Sequence, residues 1–276
     1  MDFATVLILA QKELHDARRN RWFLLYALSF AGLSMFLAWL ALSGAGNYGL
    51  AGFGRTTASL INLILLIVPL MGLTLGALSL ANERENGTLL YLLAQPIDQR
   101  ELLLGKFIGL ALSLVAALGV GFGLTAMLIA FRGGGADAGT YAVLLGLASM
   151  LAVVTLSLGF LISAAVQKSA TAIGIALFLW LLLVFFGDLG IMGSAIVMKL
   201  DISQLLAAAL VNPLQLFKFA AVLNLRSNLE VLGPAGVYAV RTYGANLMPL
   251  LIGLLLAWII LPLLLAIRLF KRRGVL

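Results

Sequence analysis

Long apolar runs alternate with short polar segments along the chain, and six of the runs approach or exceed the length of a membrane-spanning helix. A span needs about 20 mostly apolar residues at a rise of about 1.5 Å each. The runs cover about 22–43, 59–82, 107–131, 141–166, 170–190 and 247–267. Pro69, Gly72, Gly76, Gly119, Gly121, Gly123 and Pro262 fall inside them. Packed neighbouring helices can re-satisfy the backbone groups that such residues free, so the spans stand.

Ahead of the first run, Phe3, Val6, Leu7, Ala10, Leu14 and Ala17 recur at helical spacing, with Lys12, Asp16 and Arg19 opposite. This pattern over 1–21 predicts an amphipathic helix lying at the headgroup boundary, with membrane lipid as its partner. His15 is a polar-face residue of that helix. The basic cluster before the first run imitates a secretory signal, but the run is longer than an h-region and five more follow, so it predicts an uncleaved first span.

Composition agrees with a membrane protein: 63% of residues are hydrophobic and 11% charged, where soluble domains carry about a quarter. The net charge of +7 is then a topological signal and not a nucleic-acid footprint, because no basic patch with interleaved aromatics occurs. Twelve of the 18 Lys and Arg residues flank one face of the predicted spans, from Lys12, Arg84, Arg100, Lys106 and Lys168 to Arg273. The other face holds Arg55, Arg132, Lys199, Lys218, Arg226 and Arg241, so both termini are expected in the cytoplasm of a multi-pass inner-membrane protein.

That orientation places Glu83 to Lys106 (ERENGTLLYLLAQPIDQRELLLGK) on the cytoplasmic side. Asn86-Gly87 permits a break, residues 88–94 suit a short interfacial helix, and Pro96 stops it. Asp98 with Glu101 gives a capping-box start for the third span. Topology alone accounts for Arg100 and Lys106. Mixed-sign charges around a short apolar turn fit a docking surface for a soluble protein.

Catalytic chemistry is scarce. There are no cysteines and one histidine, so thiolate sites, His-pair metal sites and a Ser-His-Asp triad cannot be built within the chain. No P-loop occurs, since Gly105-Lys106 is followed by Phe107 and lacks the upstream glycine. Asp188 is an acid in an apolar run, about 27 Å past the cytoplasmic start of its helix. It is a candidate for the substrate path or an ordinary solvated interfacial acid. Gly72-x-x-x-Gly76, Gly105-x-x-x-Gly109 and Gly119-x-x-x-Gly123 allow close helix approach, within one chain or between two copies.

Beyond the fifth run, residues 191–246 carry helix signals. Asn212-Pro213 is a cap followed by proline at the first helical position, with Leu214, Phe217, Ala221 and Leu225 on one apolar side. Gly233-Pro234 marks a turn before a second short helix. A lid packed on its own spans and a partner-binding surface are both compatible with this pattern.

The leader KELHDARRNRW, the six runs and the charged hairpin resemble the ABC-2 type permeases, and NPLQLFKFAAVLN with EVLGPAGVYAVRTYG resembles those serving nitrous oxide reductase maturation. The resemblance spans nearly the whole chain. It implies one all-α transmembrane domain, 1–276, with a cytoplasmic coupling element at 83–106 and a helical periplasmic segment at 191–246. It implies ATPase contacts at Glu83, Arg84, Glu85, Gly87 and Thr88, with Arg100 and Lys106 as supporting charges. ATP and Mg would sit in a separate ATPase subunit, and this chain would hold no cofactor or metal and catalyse nothing. A second copy would complete the pathway. A periplasmic protein would dock on the outer segment through Phe217, Phe219, Arg226 and Tyr238. Copper–sulfur cluster assembly is the process implied, by movement of a sulfur species or by force passed to the outer partner. The eight scattered methionines make no copper relay. A secondary transporter is the alternative, yet no internal repeat or central charged pair appears; an ABC-2 exporter of another substrate is a further one.

Overall fold

The computed structural model describes residues 3–43, 49–95, 97–131, 138–187, 201–224 and 233–273. All regular structure among them is helical. In chain order the helices are α1 (Phe3–Ala17), α2 (Arg21–Ser43), α3 (Gly49–Glu85), α4 (Thr88–Leu93), α5 (Gln99–Phe131) and α6 (Ala138–Ala165). They continue with α7 (Ser169–Phe185), α8 (Ile202–Val211), α9 (Pro213–Asn224), α10 (Gly233–Tyr243) and α11 (Leu247–Arg273).

Helices α2, α3, α5, α6 and α11 are each long and apolar enough to cross a membrane. Of the fifth predicted run, the described residues form α7, an apolar helix of 17 residues. Helices α8 and α9 reach span length only as a pair, bent by 107°.

The centre of the bundle is the α3–α6 pair, with α11 against α6, α7 against α3, and α5 carrying α1 and α2. Missing side chains allow the central approach. A Cβ on Gly76 would lie 2.6 Å from the Leu156 carbonyl oxygen, and one on Gly159 would lie 2.6 Å from that of Leu73. Gly72 faces Thr155 and Ala152 in the same seam. The second glycine pair has a different neighbour: Gly105 meets Leu9, and Gly109 meets Ala10 and Glu13, so these two seat α1 within the chain. Nothing lies within 4 Å of a Cβ built on Gly119 or Gly123.

Helix α1 packs differently from its predicted stripe. Val6, Leu9, Ala10 and Ala17 are buried against the bundle, whereas Phe3, Leu7 and Ile8 are exposed. Glu13, beside the buried stripe, also turns inward. The reason is a buried cation on α5, described below.

The segment after α7 also departs from expectation. Asn212 caps α9 as predicted, its Oδ1 accepting from the Leu214 N–H at 2.9 Å, while its Nδ2 donates to the Leu183 carbonyl at 2.8 Å. But α9 is not an outer surface helix. It packs on α6 and α11, and Phe217 and Phe219 are 0% and 4% exposed. The physical cause is visible in LQLFKFAAVL: one charge in ten residues makes a helix apolar almost all round, which is buried.

Candidate functional site

The charged hairpin folds as its breakers dictate. Helix α3 ends at Glu85, and Gly87 takes a left-handed φ of 71°, which glycine adopts without a Cβ penalty. The Gly87 N–H donates to the Arg84 carbonyl at 3.1 Å, and Thr88 Oγ1 donates to that of Glu83 at 3.3 Å, closing the turn. Helix α5 then starts after Asp98, whose N–H donates to Glu101 Oε2 at 3.2 Å, the reach-back half of the predicted capping box. Pro96 lies outside the described residues.

Three consecutive charges end α3, and each grips a different element. Glu83 Oε1 lies 2.7 Å from Lys106 Nζ on α5, and Lys106 also donates to Glu13 Oε1 on α1 at 2.6 Å. Lys106 is 3% exposed, with side chains of Glu13 and Glu83 close around it. Glu83 Oε2 is buried without a hydrogen-bond partner among the described residues. Burying an ammonium is costly unless it is paired, and two carboxylates supply the pairing here. This is why a carboxylate, Glu13, is accommodated among the buried positions of α1.

Arg84 turns the other way. Its Nη1 donates to the carbonyls of Val166 at 2.9 Å and Ser163 at 3.2 Å, where α6 ends. A cation at a helix C-terminus meets the orphan carbonyls and the negative end of the dipole. The same guanidinium stands over the Phe270 ring of α11, 5.6 Å from its centroid. Ser163 ties α6 back to α3, its Oγ accepting from the N–H groups of Leu80 and Ala81 at 2.9 Å each. Glu85 accepts from the Ser169 N–H at 2.9 Å, capping the start of α7 with a carboxylate.

The groups expected to face a soluble partner therefore divide. Lys106 is enclosed, Glu83 and Arg84 are half-buried and turned inward, and Glu85 is exposed yet holds α7. Thr88 and Arg100 are exposed, and Gly87 is partly so. Helix α4 buries Leu89 but presents Leu90 and Tyr91, the latter 80% exposed. Those two apolar residues are the surface that residue-by-residue reading of the charges passed over. Their signal was the apolar turn itself.

At the far end of the chain, Tyr238 on α10 is 37% exposed, in contrast to the buried Phe217 and Phe219. Asp188 and Arg226 lie outside the described residues. A small cleft of about 120 Å³ opens between α3, α7 and α9, lined by Asn62, Leu66, Leu183, Leu214 and Gln215.

Residues 7–275 match the profile of the family described as "ABC-2 family transporter protein". The chain is 35% identical over 274 residues to the "Probable ABC transporter permease protein NosY" of Stutzerimonas stutzeri, covering 96% of this chain and 97% of that one. It is also 35% identical over 219 residues to the protein of the same description from Pseudomonas aeruginosa, covering 77% and 80% respectively.

Proposed function

The chain belongs to the ABC-2 transporter family, and on that footing we propose that it is the permease subunit of an ABC transporter driven by a separate ATPase. The observation that carries the coupling site is α4: an exposed apolar pair, Leu90 and Tyr91, joined through one left-handed glycine to a helix end that grips several other helices. Exposed aromatics on a rigid base are typical anchors for a protein partner. Thr88 and Arg100 flank them as polar rim. The inward turn of Glu83 and Arg84 shifts direct contact from the charges to the apolar turn.

The distribution of Lys and Arg supports a cytoplasmic placement of this end and both termini. Exposed Phe3, Leu7 and Ile8 on α1 then face lipid, with Arg18 and Arg19 near headgroups.

The finer reading follows the similarity to the NosY permeases. The chain would work as two copies with a NosF-like ATPase and a NosD-like periplasmic protein, supporting copper–sulfur cluster assembly of nitrous oxide reductase. Its task there would be moving a sulfur species or transmitting force outward. Without cysteine, the chain offers no thiolate relay for copper, which favours the sulfur or mechanical role.

Co-purification of the ATPase with full-length variants tests the reading. Leu90→Asp with Tyr91→Asp should abolish association while membrane insertion is unchanged. Retained association and ATP turnover would remove α4 as the coupling site. Reconstitution with copper or sulfur donors, in the presence of ATP, tests the cargo.

A further inference from the structure

Successive residues of a helix point about 100° apart, so three consecutive side chains reach three sides of it. Glu83, Arg84 and Glu85 use this geometry at the one end of α3 from which α4 hangs. Glu83 reaches α5 and, through Lys106, α1; Arg84 reaches the end of α6 and the ring of Phe270 on α11; Glu85 reaches the start of α7. The contacts at Glu83, Arg84 and Glu85 are charge-assisted, and Lys106 is enclosed where water does not weaken its pairs. A surface docking patch would instead leave Glu83, Arg84 and Lys106 to solvent, whereas all three are turned inward.

We propose that the Glu83-Arg84-Glu85 triplet is an internal joint that distributes displacement of α4 to α1, α5, α6, α7 and α11. Within it, Lys106 is the positioning residue that makes α1 follow. This rests on the permease reading above and assigns the path by which the stroke leaves the coupling element. The α1 arm is the most sharply defined. Gly105 and Gly109 let α1 touch the backbone region of α5, fixing the two as a pair, and Lys106 lies between those glycines in sequence. Its two carboxylate partners come from α1 and from α3, so one side chain closes the link from the coupling end to the interfacial helix. Among the described residues the buried Oε2 of Glu83 has no hydrogen-bond partner, and the Lys106 pair at Oε1 fixes the direction of the side chain.

The chain has no cysteine, which makes spin labelling direct. Labels at His15→Cys on α1 and Gln95→Cys just after α4 report the separation of the two elements in the complex with the ATPase. Both positions are exposed. In the otherwise unaltered protein the separation should be the same without nucleotide and with ATP trapped. In Lys106→Met the ATPase should still co-purify, but the separation should become nucleotide-dependent, because α4 moves and α1 lags. Glu83→Gln, which keeps a hydrogen-bonding group, should show the same change more weakly, and it serves if Lys106→Met does not fold. The inverted set Glu13→Lys, Glu83→Lys, Lys106→Glu should restore a constant separation. A separation that shifts in the unaltered protein, or that stays constant in both single variants, overturns the joint. Loss of ATPase binding in either folded variant also overturns it, since the cluster would then be part of the docking surface. An ATPase that never binds the unaltered chain defeats the permease reading itself.

Discussion

Ser157 Oγ donates to the Ile259 carbonyl at 2.7 Å, joining α6 to α11 three residues before Pro262. The same device recurs on α3. Trp180 Nε1 of α7 donates to the Leu66 carbonyl at 3.0 Å, three residues before Pro69. A proline inside a helix removes an N–H and crowds the carbonyls of the preceding turn. In both places a side chain from a neighbouring helix donates within the turn that the proline disrupts, one residue past the carbonyl left without a backbone donor.

Ser157→Ala and Trp180→Phe should therefore each destabilise the protein modestly. Interhelical side-chain hydrogen bonds in membranes are worth about 0.6 kcal/mol on average and about 1.7 at most. Unfolding by SDS titration in bicelles reads the loss. A cost well above that range would mean that the proline-containing helices depend on these donors for their shape.

The glycines of the α3–α6 seam make a sharper contrast with those on α5. Gly76→Ala and Gly159→Ala place a methyl against backbone, which cannot rotate away, and overpacking of this kind costs about 1–3 kcal/mol. Gly119→Ala and Gly123→Ala meet nothing within 4 Å and should be neutral, or stabilising by up to about 1 kcal/mol through helix propensity. The same SDS titration ranks the four variants. Equal effects at all four positions would contradict the seam.

Removing Lys106 leaves two carboxylates facing each other in a buried site. Lys106→Met should cost about 3–5 kcal/mol, as loss of one partner of a buried ion pair does. Replacing all three with apolar residues, as Glu13→Leu, Glu83→Leu and Lys106→Met, should recover most of that loss. If the triple variant is no more stable than the single one, packing and not charge governs the site.

The purified chain should bind no ATP at micromolar concentration, since no P-loop is present in the sequence. Equilibrium dialysis with labelled nucleotide checks this directly. Saturable binding by the isolated chain would place the nucleotide site here and remove the need for a separate ATPase.

Helix positions were legible because apolar run length and capping chemistry are local. The Asn212 cap and the Gly87 break fell where single-residue chemistry put them. Side-chain direction was not legible. Glu13 and Lys106 are 93 positions apart in the chain, and nothing in either local segment shows that α1 seats on Gly105 and Gly109. The charges of the hairpin looked solvent-facing for the same reason: a carboxylate capping α7 and one serving a polar surface have the same local sequence. Phe217 and Phe219 show the limit from the other side. Their expected outward role came from the place of the segment between spans, while the near-absence of charge around them pointed inward.

That burial changes what the segment after α7 can test. Phe217 is 0% exposed in the contact of α9 with α6 and α11, so Phe217→Asp would bury an unpaired carboxylate. The expected result is loss of folded protein, not selective release of a partner. Asn212→Ala should cost about 0.5–2 kcal/mol through the lost cap, and more through the freed Leu183 carbonyl. Neither variant speaks to docking. Tyr238 does, because its ring is partly exposed on α10, which packs mainly on α8 at the edge of the bundle. If a periplasmic partner docks there, Tyr238→Asp should weaken its capture by the assembled transporter at least tenfold, the scale of a modest interface anchor. Stability to SDS and association with the ATPase should stay unchanged. Full capture by a folded Tyr238→Asp variant would exclude this face as the docking site.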